Sequence, residues 1–411
     1  MAIDEREGLQ EHARFKGLRN TVPSDRFELG DLEAAESVDI DDSERVTRRK
    51  GHGAAVVSGA CKSLWSNGAT ALAVQNETNL VQILPNYATV TLRTGLISGL
   101  DMSYTSIGAR VYYSNSVNTG IVEGGRSRSW GITPPAGQPA AAVIGGVLPA
   151  GRYQFAVTFL RSDGQESGSS QASLVELQST GGIRLSLLPV TTDADITHRA
   201  VFFSKRDGET LYRVGVLGMT ETTFDYQMEE SMRVPLSTQH LRPAPAGQLV
   251  GSFNGRTLVA SGDTLFYSEP YAPELFDLRK NHRFASPITL VAGLDSGVYL
   301  GTLDDVIWLG GNDPQKWTFS PRLAYGAILG AATTCSRDMI LDGAGTKQVV
   351  VFATTQGVCV GADGGEIVNM TQDRFLYPQQ ERGAAVIRRH RGMVQALVSL
   401  QGAETAANVS S

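Results

Sequence analysis

The side chains of this chain that could do chemistry are six histidines, three cysteines and 42 carboxylates, and their spacing decides what each can do. His12, His52, His198, His240, His282 and His390 show no H-x-x-x-H or other metal-ligand spacing, so each reads as a core or surface histidine. Asp39, Asp41, Asp42 and Glu44 offer the several oxygens that a hard cation such as calcium needs. They lack the glycine and the distant bidentate glutamate of an EF-hand loop, and the stretch reads better as a solvated hairpin tip. Gly343-Ala-Gly-Thr-Lys347 has the look of a phosphate cradle, but it follows Asp342 in a turn and leads into Val349-Val-Val-Phe352. That is a strand pattern where a phosphate loop needs a helix N-terminus. No nucleophile elbow, Walker loop or dinucleotide fingerprint occurs. No catalytic residue, metal or cofactor is expected.

Two other groups have a chemical reading beside a plainer one. Asn312-Asp-Pro-Gln-Lys-Trp317 compares with the Asp box of sialidases: it has the aspartate and the tryptophan, lacks the serine and the glycine, and is one residue short between them. A catalytic carboxylate pair cannot be singled out among 42 acids. Arg45, Arg48, Arg49 and Lys50 form one basic group, and Arg388, Arg389 and Arg391 around His390 form another. Both could meet phosphate. The first group reads better as outward strand positions that pair with acids or a neighbouring subunit and the second as a hairpin turn with a solvated face, and these seven residues are the candidate interface. A net charge of −6 and the lack of interleaved aromatics disfavour tight, static binding to duplex DNA. They do not disfavour DNA sliding past, for which a neutral or acidic wall serves better than a basic one.

The elements that must position these residues come in repeats. Gly255 opens Arg256-Thr-Leu-Val-Ala260, a break follows at Ser261-Gly-Asp263, and Thr264-Leu-Phe-Tyr-Ser-Glu269 returns. Gly297, 42 positions on, opens Val298-Tyr-Leu-Gly301, breaks at Asp304-Asp305 and returns as Val306-Ile-Trp-Leu309. Each copy reads as an antiparallel hairpin. The pattern recurs at Gly68, Gly108, Gly357 and Gly392. A hairpin cannot bury its apolar face alone, so a repeated one implies stacking. The step from Gly68 to Gly108 is 40 residues, whereas that from Gly108 to Gly255 is 147. Pro134, Pro135 and Pro139 on one side and Pro235, Pro243 and Pro245 on the other bracket an insert. Removing 134–241 restores a step of 39.

A period near 40 with several strands per unit predicts an all-β fold, a β-propeller built from repeated hairpin units and interrupted by an inserted β-sandwich. The expected domains are 1–133, the arm and first part of the propeller; 134–241, the sandwich; and 242–411, the rest of the propeller. Within the insert, Tyr153, Phe155, Val157 and Phe159 alternate on one strand face, and Asp163-Gly164 and Asp207-Gly208 mark hairpin turns. The order of these features over 147–227 resembles fibronectin type III domains. Helical material is expected only near 5–15, and a two-strand hairpin around Asp41-Asp42-Ser43 with Val38, Ile40 and Val46 facing inward. The connection from Asn312 to Gln348, which stretches the Gly297 to Gly357 step to 60, reads as a long projecting loop that narrows a channel, grips a neighbour or does neither.

Composition sets the outer limits. At 41% hydrophobic and 7% aromatic, with 45 glycines, the chain can build a sizeable core of many tight turns. It has no apolar run of about 18 residues, so no membrane span is predicted. Met1-Ala-Ile-Asp-Glu carries acid where a secretory signal carries base, so export by such a signal is not expected. Cys61, Cys335 and Cys359 leave one thiol over after any pairing and read as buried thiols of a protein made in a reducing cytoplasm.

Phe15-Lys-Gly-Leu-Arg-Asn20, the stretch Leu32-Glu-Ala-Ala-Glu-Ser-Val-Asp-Ile-Asp-Asp42 and Arg48-Arg-Lys-Gly51 resemble the start of tail nozzle, or tail hub, proteins of short-tailed bacteriophages. Leu265-Phe-Tyr-Ser-Glu-Pro270, Glu274-Leu-Phe-Asp277, Thr355-Gln-Gly-Val-Cys-Val-Gly361 and Gly365-Glu-Ile-Val-Asn-Met-Thr371 are similar to later parts of the same family. The resemblance implies a structural virion protein, a propeller subunit of a six-membered ring below the tail adaptor. Such a ring surrounds the DNA exit channel, retains the packaged genome and opens on ejection. Its implied partners are further copies of itself, the adaptor, a tail fibre or spike, and DNA passing without sequence-specific contact. No catalytic residue comes with the family. A host-surface-binding module or a glycan-cleaving propeller are the alternatives.

Overall fold

The computed structural model describes residues 16–35, 38–40, 45–48, 53–229, 234–336, 347–371, 374–377, 380–390 and 393–402. Among them there is no α-helix, and the segment near 5–15 expected to be helical lies outside the described residues. The chain starts with a short parallel pair, β1 (Gly17–Leu18) and β2 (Asp31–Leu32), and an antiparallel pair, β3 (Val38–Ile40) and β4 (Val46–Arg48). Two four-stranded antiparallel blades follow. The first is β5 (Cys61–Ser66), β6 (Ala71–Gln75), β7 (Asn79–Ile83) and β8 (Thr89–Arg93); the second is β9 (Ser103–Ile107), β10 (Arg110–Ser114), β11 (Thr119–Glu123) and β12 (Arg126–Arg128).

The sandwich interrupts here. Its strands are β13 (Ala140–Leu148), β14 (Gly151–Arg161), β15 (Ser173–Leu177), β16 (Gly181–Ser186), β17 (Ile196–Ser204), β18 (Leu211–Gly218) and β19 (Phe224–Tyr226). They form a three-stranded sheet ordered β13-β16-β19 and a four-stranded sheet ordered β15-β14-β17-β18. The alternation along β14 does what its period of two requires: Tyr153, Phe155 and Val157 enter a shared core with Ile183, Leu185, Val201 and Phe203. Phe203 stacks on Tyr226 at 4.5 Å between ring centroids, which ties the two sheets.

Three more blades complete the run. Blade three is β20 (Leu249–Phe253), β21 (Arg256–Ser261), β22 (Thr264–Glu269) and β23 (Ala272–Arg283); blade four is β24 (Ile288–Gly293), β25 (Gly297–Thr302), β26 (Val306–Gly310) and β27 (Thr318–Leu323). Blade five is β28 (Ala327–Ser336), β29 (Gln348–Thr354), β30 (Gly357–Gly361) and β31 (Ile367–Asn369). A final hairpin, β32 (Gln380–His390) and β33 (Met393–Gly402), meets β28 and packs Val398 and Leu400 on Ile328, Ala331 and Ala353 of blade five.

Each blade shares its core with the next, which makes the fold a β-propeller. Phe253, Leu258, Leu265, Ile288, Leu300 and Trp317 join blades three and four, while Leu290, Tyr299, Trp308, Val350 and Phe352 join four and five. The inner strands approach closely enough that a Cβ on Gly293 would stand 2.1 Å from the Ser252 carbonyl oxygen, so glycine is required there. The insert does not separate blades two and three. Ser114 Oγ donates to the Gly247 carbonyl at 2.7 Å and Val250 N–H to Ser103 Oγ at 3.0 Å across that boundary.

Several sequence expectations are corrected. The repeated hairpin is formed by the second and third strands in blades one to four, but Gly357 opens the third strand of blade five. The second is β29, whose run Val349-Val-Val-Phe352 lacks an opening glycine, and this is why the step appeared to be 60. The connection from Asn312 to Gln348 is accordingly no long loop: it holds β27 and β28, with 337–346 outside the described residues. Val46 is exposed rather than inward-facing, because β3 and β4 form a sheet of only two strands. Cys61 lies exposed on the end strand of blade one, and Cys359 is buried, its thiol pushed up to about 11 by burial.

Candidate functional site

The seven basic residues proposed from sequence separate into different settings. Arg48 is exposed on β4, Arg45 is exposed just before it, and Arg49, Lys50 and Arg391 lie outside the described residues. The Arg389 backbone pairs with Val394 in the final hairpin. Arg388 donates through Nε to Gln395 Oε1 at 2.8 Å and stands 3.7 Å from Asp39 Oδ2. The structure thus brings the second basic group against the hairpin that carries the first, and the contact is made by an acid of the suspected calcium stretch. Residues 41–44 and Gly343 to Thr346 lie outside the described residues, and no cluster of three possible ligands occurs among the described ones.

In the Asp-box-like stretch, Asp313 accepts from the Gln315 N–H and caps a single 3-10 turn, while the Trp317 ring packs near Phe253, Tyr267 and His282. Its Nε1–H donates to the Gly311 carbonyl at 2.8 Å. Those contacts plug the blade three to four boundary.

Two constellations had no local signature. The first clasps the start of the described chain to the segment after blade five. The fully buried Asp31 carboxylate accepts from Arg19 Nη1 at 2.8 Å, Arg374 Nη2 at 2.6 Å and the Glu28 N–H at 3.1 Å. The Arg19 hydrogen bond, helped by Glu28 N–H and Arg374, holds the acid down at about 2. Beside it, the Asn20 side chain donates to the Leu376 carbonyl and accepts from the Leu376 N–H, both at 2.7 Å.

The second lies where blades two and three meet the sandwich. Glu274 of β23 is buried and receives Arg128 through two bonds of 2.8 Å, Arg161 at 3.0 Å and Arg110 at 3.3 Å. Glu123 bridges Arg110 at 2.8 Å and Arg128 at 3.1 Å, and Asp163 holds Arg161 at 3.0 and 2.8 Å. Burial opposes the Arg128 charge, but the bonds to Glu274 and Glu123 overcome it and raise its pKa. Arg110 holds Glu123 below the usual carboxylate range. Beneath this network, Trp130 is buried against Tyr112 at 5.1 Å and Phe276 at 6.0 Å, and Arg242 and Phe276 exchange backbone hydrogen bonds of 2.8 and 2.9 Å.

Clefts flank the network. One of about 330 Å³ is lined by Arg110, Glu123, Tyr112, Pro273 and the exposed Tyr271; a second of about 200 Å³ is lined by Arg126, Arg128, Asp163 and Asp195. Tyr271 is 86% exposed and sits at φ 55°, a turn position that favours glycine or asparagine. Glycoside hydrolysis needs a carboxylic acid whose pKa is raised beside a second carboxylate. Glu123 and Asp163 are shifted the other way by their arginines, and the bonds of the network join blade two, blade three and the sandwich.

No family model and no curated protein matches the chain. Among solved structures it is similar to BBS1N in complex with ARL6DN, at 10% identity over 87% of this chain and 96% of that one, with a TM-score of 0.34. It is also similar to apo AztD from Citrobacter koseri, at 12% identity over 87% and 92% with a TM-score of 0.25. A third is Sqt1 of Saccharomyces cerevisiae, at 9% over 70% and 91% with a TM-score of 0.20. Scores this low carry nothing about function. The propeller stands on the chain's own strand order.

Proposed function

We propose that this chain is a structural, non-catalytic virion protein: the nozzle subunit of a short-tailed phage, assembled as a ring, six-membered by the resemblance, around the DNA exit channel. Its partners on this reading are its own copies, the tail adaptor, a fibre or spike, and the genome passing without sequence-specific contact. The observation that carries it is the clasp. Gly17 to Asn20 and Leu32, part of the stretch that resembles nozzle proteins, lie in or beside the elements that lock onto Arg374 and Leu376. These residues therefore act mechanically, tying the start of the described chain to the region after blade five. A polar tie of this kind can open while the blades stay folded, which suits a subunit that retains the genome and must open on ejection.

A second reading is favoured by Tyr271. An aromatic ring held out to solvent in a strained turn, over a cleft edged by Arg110 and Glu123, suits a host-surface-binding module. Mass photometry and negative-stain imaging of the purified chain, alone and with the adaptor ring of the same virion, separate the two. Closed rings are expected in at least one sample. A persistent monomer in both would overturn the nozzle reading and favour the binding module.

A further inference from the structure

Among the described residues, two long sheet edges carry neither charge nor proline. An open edge offers unpaired N–H and C=O groups to any passing strand, and natural proteins guard it with charge, proline, short length or cover. The outer strands of blades two to five follow that rule: β12 carries Arg126 and Arg128, β23 carries Asp277, Arg279 and Lys280, β27 carries Pro321 and Arg322, and β31 stops after three residues. The inner strands β9, β20, β24 and β28 lie against one another within the propeller.

β13 and β33 are different. β13 reads Ala-Ala-Ala-Val-Ile-Gly-Gly-Val-Leu, ends its sheet and has no charged residue. Val143 and Val147 are 60% and 67% exposed. Val143 stands opposite Ile183, and Ala141 opposite Leu185, both fully buried in the sandwich core. Directly opposed residues of an antiparallel pair share a face, so Ala141 and Val143 point to the core side and are nevertheless uncovered. The sandwich is open along this edge, and Leu187, 80% exposed, extends the apolar surface beyond it. β33 reads Met-Val-Gln-Ala-Leu-Val-Ser-Leu-Gln-Gly, also without charge or proline, and ends its own sheet with no partner strand on its outer side among the described residues.

We propose that β33 of one copy pairs with β13 of the next. This rests on the ring reading and names the surfaces that close the ring. Each edge is a strand edge and so asks for a backbone partner; each is neutral, so a charged partner strand would be desolvated without compensation. The regular part of β13, Ala140 to Ile144 before its bulge, is shorter than β33 and can be covered by it entirely. Because the two edges are unlike surfaces on separate parts of the chain, joining them is head-to-tail, the geometry that generates rings.

The test uses the full chain and two variants that put the missing guard on each edge, Val143→Lys and Leu397→Lys. Circular dichroism melting confirms that each remains folded as a subunit. Mass photometry, with the adaptor ring if the wild type needs it, should show at least a tenfold loss of closed rings for either variant. Mixing the two should restore one intact junction, between β33 of the Val143→Lys copy and β13 of the Leu397→Lys copy, and so give dimers but no rings. Rings of wild-type abundance from both variants would overturn the strand pairing and leave the ring reading standing. A wild type that assembles neither alone nor on the adaptor would overturn both. A mixture that yields no dimer while each variant has lost its rings would overturn the head-to-tail pairing.

Discussion

Asp31 and Glu274 are both buried carboxylates gripped by arginines, yet they hold the molecule in different ways. Glu274 sits on a packed floor: Trp130, Tyr112 and Phe276 lie beneath it, and its arginines come from blade two and the sandwich. Among the described residues, no such buried apolar cluster includes the segments around Asp31. Asp31 joins a two-residue parallel pair to a segment around Arg374, and most of the contact is polar. A network over an apolar core is part of the cooperative fold, whereas a polar clasp between segments of few buried side chains can open locally while the rest stays folded. The same chemistry therefore serves a permanent weld in one place and a releasable tie in the other.

The largest effect that would sharpen this contrast is expected from Glu274→Ala, which takes from Arg128, Arg161 and Arg110 the buried carboxylate they share and leaves only Glu123 and Asp163 to face them. Breaking a buried ion network by removing one member costs about 3–5 kcal/mol. Denaturant unfolding should show that loss in the main transition, and a loss under about 1 kcal/mol would mean that the network adds little beyond the core beneath it.

Asp31→Asn should behave in the opposite manner. The main transition should stay nearly in place, while trypsin cleavage at Lys16, Arg19 and Arg26 speeds up as the arm is released. If the midpoint falls as far as for Glu274→Ala, the clasp is part of the cooperative core and the contrast fails. Acid offers a second handle on the same tie. The folded Asp31 is held at about 2, below the usual value of an unfolded aspartate, about 3.9. Its contribution is thus complete above the unfolded value and is lost as pH falls through the folded one. Hydrogen-exchange protection at 17–32, taken relative to the intrinsic rate at each pH, should persist at pH 4 and be lost as the pH is lowered towards 2.

The smallest effect is expected within the sandwich. Glu166 accepts from Thr158 Oγ1 at 2.6 Å, and burial raises its pKa. A carboxyl with a raised folded pKa favours the native state while protonated and loses that advantage as pH rises through its folded value. Glu166→Gln keeps an acceptor for Thr158 and removes the buried charge, so at pH 7 it should stabilise the protein slightly, on the order of 0.5 kcal/mol. A destabilised variant in a thermal melt at pH 7 would contradict the sign, and the gain should vanish at pH 4.

Much of the frame could be read from residue order. Glycine-opened hairpins marked the middle strands of blades one to four, and the proline groups with the restored step of 39 marked the sandwich. The reading slipped in blade five because Val349-Val-Val-Phe352 is an apolar run like any other, and which neighbour a strand pairs with is not written in its own residues. The junction was not legible at all. Glu274 is 164, 146 and 113 positions from Arg110, Arg128 and Arg161, and no local spacing links them. Arg388 was weighed between nucleic acid and the solvated face of a hairpin turn; it lies in a hairpin, and its contacts there are Gln395 and Asp39.

What the sequence determined by itself is the local alternation of apolar and polar residues and the glycines and prolines that punctuate it, because backbone sterics and a period of two act over a few residues. Tertiary structure alone decided which carboxylates meet which arginines, which edges remain open and how the start of the described chain is tied to the segment after blade five. Those depend on distances through space between residues far apart in the chain, and burial in a shared low-dielectric interior gives the charged contacts their strength.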